Sequence, residues 1–438
     1  MHAWYLICFL SALAVFIAFT NQYILKLQTT IAITTGAVVI SLLLIFVVGF
    51  ADNDLANEIS NTVASLNFNQ LLLQGMLGFL LFAGALEIDL QALKKQRWEI
   101  TILVLFSTLT STFMVGGLTY YGLALVGWSV PFIYCLLFGA LISPTDPIAV
   151  LAIIKQMNAP EGISVQVEGE SLFNDGVGLV VFSTIFSVAF MGTAPTFSGV
   201  ASLFLTDAVG GVLFGFLLAQ VAHWLMRKSR GPGIRLLITM LIPTSGFALA
   251  NILEVSGALA MVVSGIFIGN ITMRHVTSSQ REETERNLQA FWHATDAFLN
   301  GLLFLLIGLL LVTFPISITQ VLLGFMAVPL VLLARWVSVS IPYIGFRRFR
   351  EYDVNSVRIL TWGGLRGGLA LAMAASIPSN LEFVNGVDIH RLILIMTYIV
   401  VIFSIIVQGG TISPLLRKSV DAAEKRAKAA SSSGQQPQ

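Results

Sequence analysis

Charge is scarce in this sequence. Only 11% of its 438 residues are Asp, Glu, Lys or Arg, while 56% are apolar; a soluble domain carries about 25% charged residues. That shortage excludes an ordinary soluble domain and points to a polytopic membrane protein. Cysteine is nearly absent. Cys8 and Cys135 both sit within apolar runs, where they read as small buried hydrophobes, so no disulfide framework or cysteine metal site is expected. The five histidines, His2, His223, His275, His293 and His390, show no ligand spacing, which argues against a metal centre. A net charge of +1 leaves no global field for nucleic acid. The first residues, MHAWYLICFLSALAVFIAF, lack a basic n-region and a clean cleavage site, so they read as a first span and not as a removable signal. The segment 417–438 is polar and ends in low complexity; a mobile tail is expected there.

What is abundant is apolar length. A span needs about 20 apolar residues, and on that rule thirteen stretches qualify: about 3–21, 30–49, 68–88, 98–126, 130–155, 163–190, 198–226, 235–253, 256–271, 288–313, 316–342, 356–377 and 390–414. The expected fold class is an all-α polytopic membrane protein. Basic residues test the count, because Lys and Arg collect on the cytoplasmic side. With an outer N-terminus and a cytoplasmic C-terminus, 21 of the 24 basic residues fall on inner segments, and Asp52, Asp54, Glu58, Glu254, Glu382 and Asp388 on outer ones. A cytoplasmic or inner cell membrane location with that orientation is expected.

Two stretches are interrupted. The fifth contains Ser143-Pro144-Thr145-Asp146-Pro147, and the twelfth contains Trp362-Gly363-Gly364-Leu365-Arg366-Gly367-Gly368. Two prolines three apart break a helical ladder; glycines permit unwinding without forcing it. A plain kink is the simpler alternative for each alone. Together they are seven spans apart and cross the membrane in opposite senses. Interrupted helices at corresponding places in two inverted halves mark a secondary transporter's binding site, with 1–6 and 8–13 as the paired halves.

The sixth stretch carries Glu168, Glu170, Ser171, Asn174 and Asp175 in EGESLFNDG. An ionisable residue inside a bilayer is costly and is by default a functional candidate. At 100° per residue, Ser171 and Asp175 lie about 40° apart on one face, and Glu170 and Asn174 pair likewise on a neighbouring face. Glu168 aligns with Asp175 but lies roughly 10 Å nearer the cytoplasm. Asp175 and Ser171 offer hard oxygens suited to small hard cations. A broken helix end adds the Thr145 hydroxyl and free carbonyls, with Asp146 beside them. Arg366 is a buried cation needing a buried anion, which Glu170 or Glu168 can supply. Asp207, Asp296 and Arg335 read as interfacial, packing or snorkelling charges.

EGES followed by FNDG, with SPTDPIAV upstream and GGLRGGLALAMA downstream, resembles the monovalent cation–proton antiporters, in particular the prokaryotic Na⁺/H⁺ antiporters of the NhaP type. The resemblance runs through nearly the whole chain and implies an NhaA/NhaP-like fold over 1–416. It implies Asp175 as the shared cation and proton site, next to Asn174. Ser171 and the Thr145 main-chain carbonyl join Asp175 as Na⁺ ligands, and Asp146 is the acid of the unwound crossing. It implies a Glu170–Arg366 ion pair and a homodimer. It further implies an elevator movement of a core, about 98–190 and 316–414, against the remaining helices. Relatives place a further carboxylate on the third span, where Glu87 and Asp89 are available; plain interfacial acids are the simpler reading of both. Glu168 is a candidate for the cytoplasmic entry.

The expected activity is exchange of Na⁺ or Li⁺ for H⁺, with those ions as substrates, a lipid bilayer around the chain and no cofactor. Position 174 is Asn, which cannot titrate, so one carboxylate predicts one proton per cation. K⁺/H⁺ exchange is the alternative within transport. A cation channel fits less well, since channels build pores from symmetric chains. An intramembrane aspartyl protease lacks a second catalytic signature around Asp146 and Asp175, so no enzyme is expected.

Overall fold

A bilayer offers no water to backbone N–H and C=O groups, so apolar segments must satisfy them internally as helix. The computed structural model describes residues 2–50, 68–157, 161–190, 196–275, 278–313, 317–346, 355–378 and 387–420. In order, the helices are α1 His2–Tyr23, α2 Thr29–Phe50, α3 Phe68–Glu87, α4 Leu90–Lys95, α5 Arg97–Leu125, α6 Phe132–Ile142, α7 Ile148–Gln156 and α8 Glu161–Phe190. There follow α9 Phe197–Lys228, α10 Pro232–Ile252, α11 Gly257–Thr272, α12 Ser278–Leu309, α13 Ile318–Phe346, α14 Ser356–Trp362, α15 Gly368–Ala375 and α16 Ile389–Thr411. Every stretch expected from apolar length carries helix. Among the described residues, nine helices are long and apolar enough to cross a membrane, with shorter apolar helices at Cys8–Tyr23, Phe132–Ile142 and Gly257–Thr272. The outer acids Asp52, Asp54, Glu58 and Glu382, the basic residues Arg347, Arg348 and Arg350, and the tail from 421 lie outside the described residues.

One boundary differs clearly from the hydropathy reading. α12 begins at Ser278 and not near 288. Its first turns, SSQREETERN, are polar but rich in Glu, Gln and Arg, good helix formers that a hydropathy window discards. Deeper in the same helix Trp292 is buried, edge-on to Phe82 of α3 at 4.9 Å between ring centroids, with its Nε1 donating to Thr239 Oγ1 of α10 at 3.1 Å. Pinning Trp292 fixes the rotation of α12, and so the direction taken by His293 and Asp296.

Both interruptions are real breaks. α6 stops at Ile142 and α7 resumes at Ile148; α14 stops at Trp362 and α15 resumes at Gly368. The two unwound segments cross, joined antiparallel by Asp146 N donating to Leu365 O at 2.8 Å. Glycine permits the approach. A Cβ on Gly367 would stand 2.2 Å from Asp146 Oδ2, and a Cβ on Gly178 of α8 would stand 2.2 Å from Pro144 Cγ. α8 is thereby seated directly against the break, and its acids are delivered to the crossing.

Gly178→Ala forces Pro144 away from α8. Overpacking of this kind costs about 1–3 kcal/mol, so the thermal unfolding midpoint of the detergent-solubilised protein is expected to fall. Gly233→Ala, whose Cβ meets nothing within 4 Å, should leave that midpoint level or slightly raised; equal losses at both positions would show that the crossing is not tightly packed.

Candidate ion-binding site

The side chains that α8 brings to the crossing divide into two groups. Asn174 holds the unwound strand: its Nδ2 donates to Thr145 Oγ1 at 2.8 Å, and its Oδ1 accepts from Thr145 N at 3.3 Å. Ser171 Oγ lies 3.1 Å from the same Thr145 hydroxyl. Helical angles group Ser171 with Asp175, but in the structure Ser171 and Asn174 grip Thr145 together, both buried. Asp175, by contrast, is held by no side-chain hydrogen bond or ion pair among the described residues and lines a cavity of about 350 Å³ with Thr145, Asp146 and Glu168. Asp146 Oδ1 accepts from its own Ile148 N at 3.0 Å.

The cavity extends between Asp175 and Lys155, both of which line it. Its wall also includes Glu87 at the end of α3, and His293 and Asp296 of α12. His293 Nδ1 lies 3.1 Å from Glu87 Oε1. Asp296 therefore faces the same space as Asp146 and Asp175, which corrects its reading as a packing charge. The missed signal was present: His293, Asp296 and Asn300 recur at helical spacing on one face of an apolar helix. Of the two candidate acids at the end of the third span, Glu87 reaches the cavity. Asp89 instead caps α4, accepting from Gln91 N at 2.7 Å.

The expected Glu170–Arg366 pair is not formed. Glu170, 1% exposed, accepts from Arg335 Nη1 at 2.5 Å, and Arg335 is itself 3% exposed at mid-helix in α13. Arg335 also donates to Ser107 Oγ of α5 at 3.2 Å and to Leu360 O of α14 at 3.3 Å and 3.1 Å. It is a buried tie between four helices, not a snorkelling charge. Arg366 serves the break instead. Its Nη1 donates to the carbonyls of Ser143 and of Pro144, the latter at 3.0 Å. Those carbonyls are the electronegative C-terminal end of α6, where a cation is favoured. Both arginines lie deep in apolar stretches, and only the rotation of α13 decides which one meets Glu170.

Crossed, interrupted helices beside a cavity lined by carboxylates define a secondary transporter of the inverted-repeat type. Residues 15–418 match the family described as "Sodium/hydrogen exchanger, transmembrane", and the chain belongs to that family. It is 42% identical to the Na(+)/H(+) antiporter NhaP of Pseudomonas aeruginosa over 93% of this chain and 95% of that protein. It is 33% identical to the Na(+)/H(+) antiporter NhaH of Halobacillus aidingensis, over 78% of this chain and 81% of that one. The fold matches that of the sodium proton antiporter MjNhaP1 from Methanocaldococcus jannaschii with a TM-score of 0.74, covering 95% and 99% of the two chains at 18% identity.

Removing one partner of a buried ion pair strands the other and costs about 3–5 kcal/mol. Glu170→Gln and Arg335→Met are each expected to lower the unfolding midpoint strongly, and the double variant to recover part of the loss. The same cycle run with Arg366→Met should show far weaker coupling to Glu170. Coupling to Arg366 as strong as to Arg335 would reverse the assignment.

Proposed function

We propose that the chain exchanges Na⁺ or Li⁺ for H⁺ at Asp175, one for one. The observation that carries this reading is the Asp175 carboxylate, midway along α8, facing a cavity and held by no hydrogen bond or ion pair among the described residues. A bare carboxylate is costly in a dry barrier, and either a cation or a proton neutralises it. Competition for one group then gives antiport, provided that the occupied site crosses and the bare one does not. Thr145 and Asp146 supply further hard oxygens in the same wall, with Ser171 behind Thr145 as a ligand that a small rearrangement brings forward. Glu168 and Lys155 flank the entry.

Asn174 has both side-chain atoms on Thr145, so it positions the strand and carries no proton. Asp175 is then the single exchanging group, and transport is electroneutral. We assign the core to 98–190 and 316–414, moving as an elevator in a homodimer, with the Lys155 side cytoplasmic and the N-terminus outside. The antiporter family to which the chain belongs supports this assignment, and K⁺ tested beside Na⁺ and Li⁺ defines the ion preference.

In proteoliposomes, Na⁺-driven proton flux should be unchanged when valinomycin and K⁺ alter only the membrane potential; a rate that follows the potential rejects one-for-one exchange. Asp175→Asn should abolish the flux while leaving folded protein. Protons remove the ionised form of Asp175, so the apparent KM for Na⁺ should rise as pH falls, approaching about tenfold per pH unit once the protonated form dominates. A KM for Na⁺ that does not respond to pH would mean that the two ions use separate groups.

A further inference from the structure

A second carboxylate lies within the membrane-spanning part of α9. Asp207 is half-buried, and it faces a separate cavity of about 670 Å³ at the end of α8 away from Lys155. From Asp175 to Ser183, which lines this second space, α8 rises about 12 Å, and Leu179 and Val180 form part of the wall on that side. The lining is rich in hard oxygens from Ser183, Ser187, Thr206, Asn251, Glu254 and Ser256. Among the described lining residues there is no Lys, Arg or His, in contrast to the cavity of Asp175, which holds Lys155 and His293.

Asp207 is also held in place. Its backbone carbonyl accepts from Ser256 N at 3.1 Å, and Ser256 Oγ in turn caps α11 by accepting from Leu259 N at 3.2 Å. Its Oδ2 accepts from Ser183 Oγ of α8 at 3.1 Å. That hydroxyl is the carboxylate's sole side-chain partner among the described residues. A carboxylate within a span normally pairs with a cation or lies on an ion path. Here no cationic side chain among the described residues lines the cavity, and the groups beside the carboxylate are oxygens of the kind that coordinate alkali ions. Glu254 stands exposed at the rim, so the negative potential extends from the mouth inward and concentrates cations there.

We propose that Asp207, with the Ser183 hydroxyl, forms a second cation site that takes a partly hydrated Na⁺ or Li⁺ on the outer side of the barrier. Its place in transport rests on the antiporter reading: the site loads or receives the ion exchanged at Asp175 when the core faces outward. Ser183 rides on α8 with Asp175, whereas Asp207 rides on α9, so the site spans the two parts that move against each other.

The test measures Na⁺ dose–response from each face, in right-side-out and everted membrane vesicles. Asp207→Asn should raise the apparent KM for Na⁺ at the outer face by about threefold or more relative to the shift at the inner face. Ser183→Ala should shift it in the same direction by less, and Asp207→Glu should restore most of it. Equal shifts at both faces, or none at the outer face, would overturn the proposal and make Asp207 a packing residue. Tl⁺ diffraction provides a readout that does not depend on flux. An anomalous peak beside Asp207 is expected in the wild type and in Asp175→Asn, and should vanish in Asp207→Asn. A wild type without Na⁺-driven flux would sink the antiporter reading and leave the Tl⁺ peak to decide the site; no peak at Asp207 in either protein would refute it.

Discussion

The crossing of two unwound strands is the constraint on which the rest of this structure depends. Each break releases backbone groups that a bilayer cannot solvate, and each must be answered locally. Asp146 N is answered by Leu365 O, the Thr145 amide by Asn174, and the Ser143 and Pro144 carbonyls by Arg366. Every one of these partners comes from another segment, so none of the three segments is stable at the crossing without the others. Gly178 and Gly367 are the steric condition for this, since a methyl group at either position would occupy space already filled by Pro144 or Asp146.

Charge follows from the same geometry. At the crossing itself, buried Glu170 and half-buried Asp146 and Asp175 stand against buried Arg335 and Arg366. With all five ionised, the set carries one excess negative charge. Glu170 and Arg335 close on each other, and Arg366 is committed to the carbonyl end of α6, which leaves the excess at Asp175, where the cavity is. One monovalent cation or one proton brings the set to neutrality. The species that crosses a low-dielectric barrier most cheaply is therefore the loaded one, whichever ion loads it. Exchange without leak needs that preference, and it arises from a charge count spread over several helices and not from any single ligand.

Much of this was legible in the sequence because it is local. Pro144 and Pro147 announce the first break by chemistry that no tertiary context overrides, and EGESLFNDG places its acids on one helix at spacings that fix their relative faces. What was not legible depends on how separate helices are rotated. Arg335 and Arg366 are equally buried cations in sequence, and Glu170 meets Arg335 only because α13 turns that face toward α8. Ser171 left the expected ion face because Thr145, on the unwound strand, comes within reach of it. Glu87, His293 and Asp296 come from helices far apart in sequence and converge on the Asp175 cavity only once Trp292 is packed against α3. α12 starts early because helix propensity continues beyond the point where hydropathy ends.

The tie made by Arg335 gives the crossing its mechanical context. One guanidinium joins α13 to α8 through Glu170, to α5 through Ser107, and to α14 through Leu360 O. These elements include the helix that bears the ion and half of the second interrupted crossing. Because the tie is buried, opening any arm leaves a charged group unsatisfied in apolar surroundings, a penalty of several kcal/mol. The tied bundle therefore resists internal shear, and the proposed movement of Asp175 between the two sides is cheaper if the bundle moves whole. Toward α9, α8 is held by the part-buried hydroxyl–carboxylate bond between Ser183 and Asp207, which opens at lower cost than the buried tie. That difference in strength, set by Arg335 in the middle of α13, is what the proposed elevator movement would draw on.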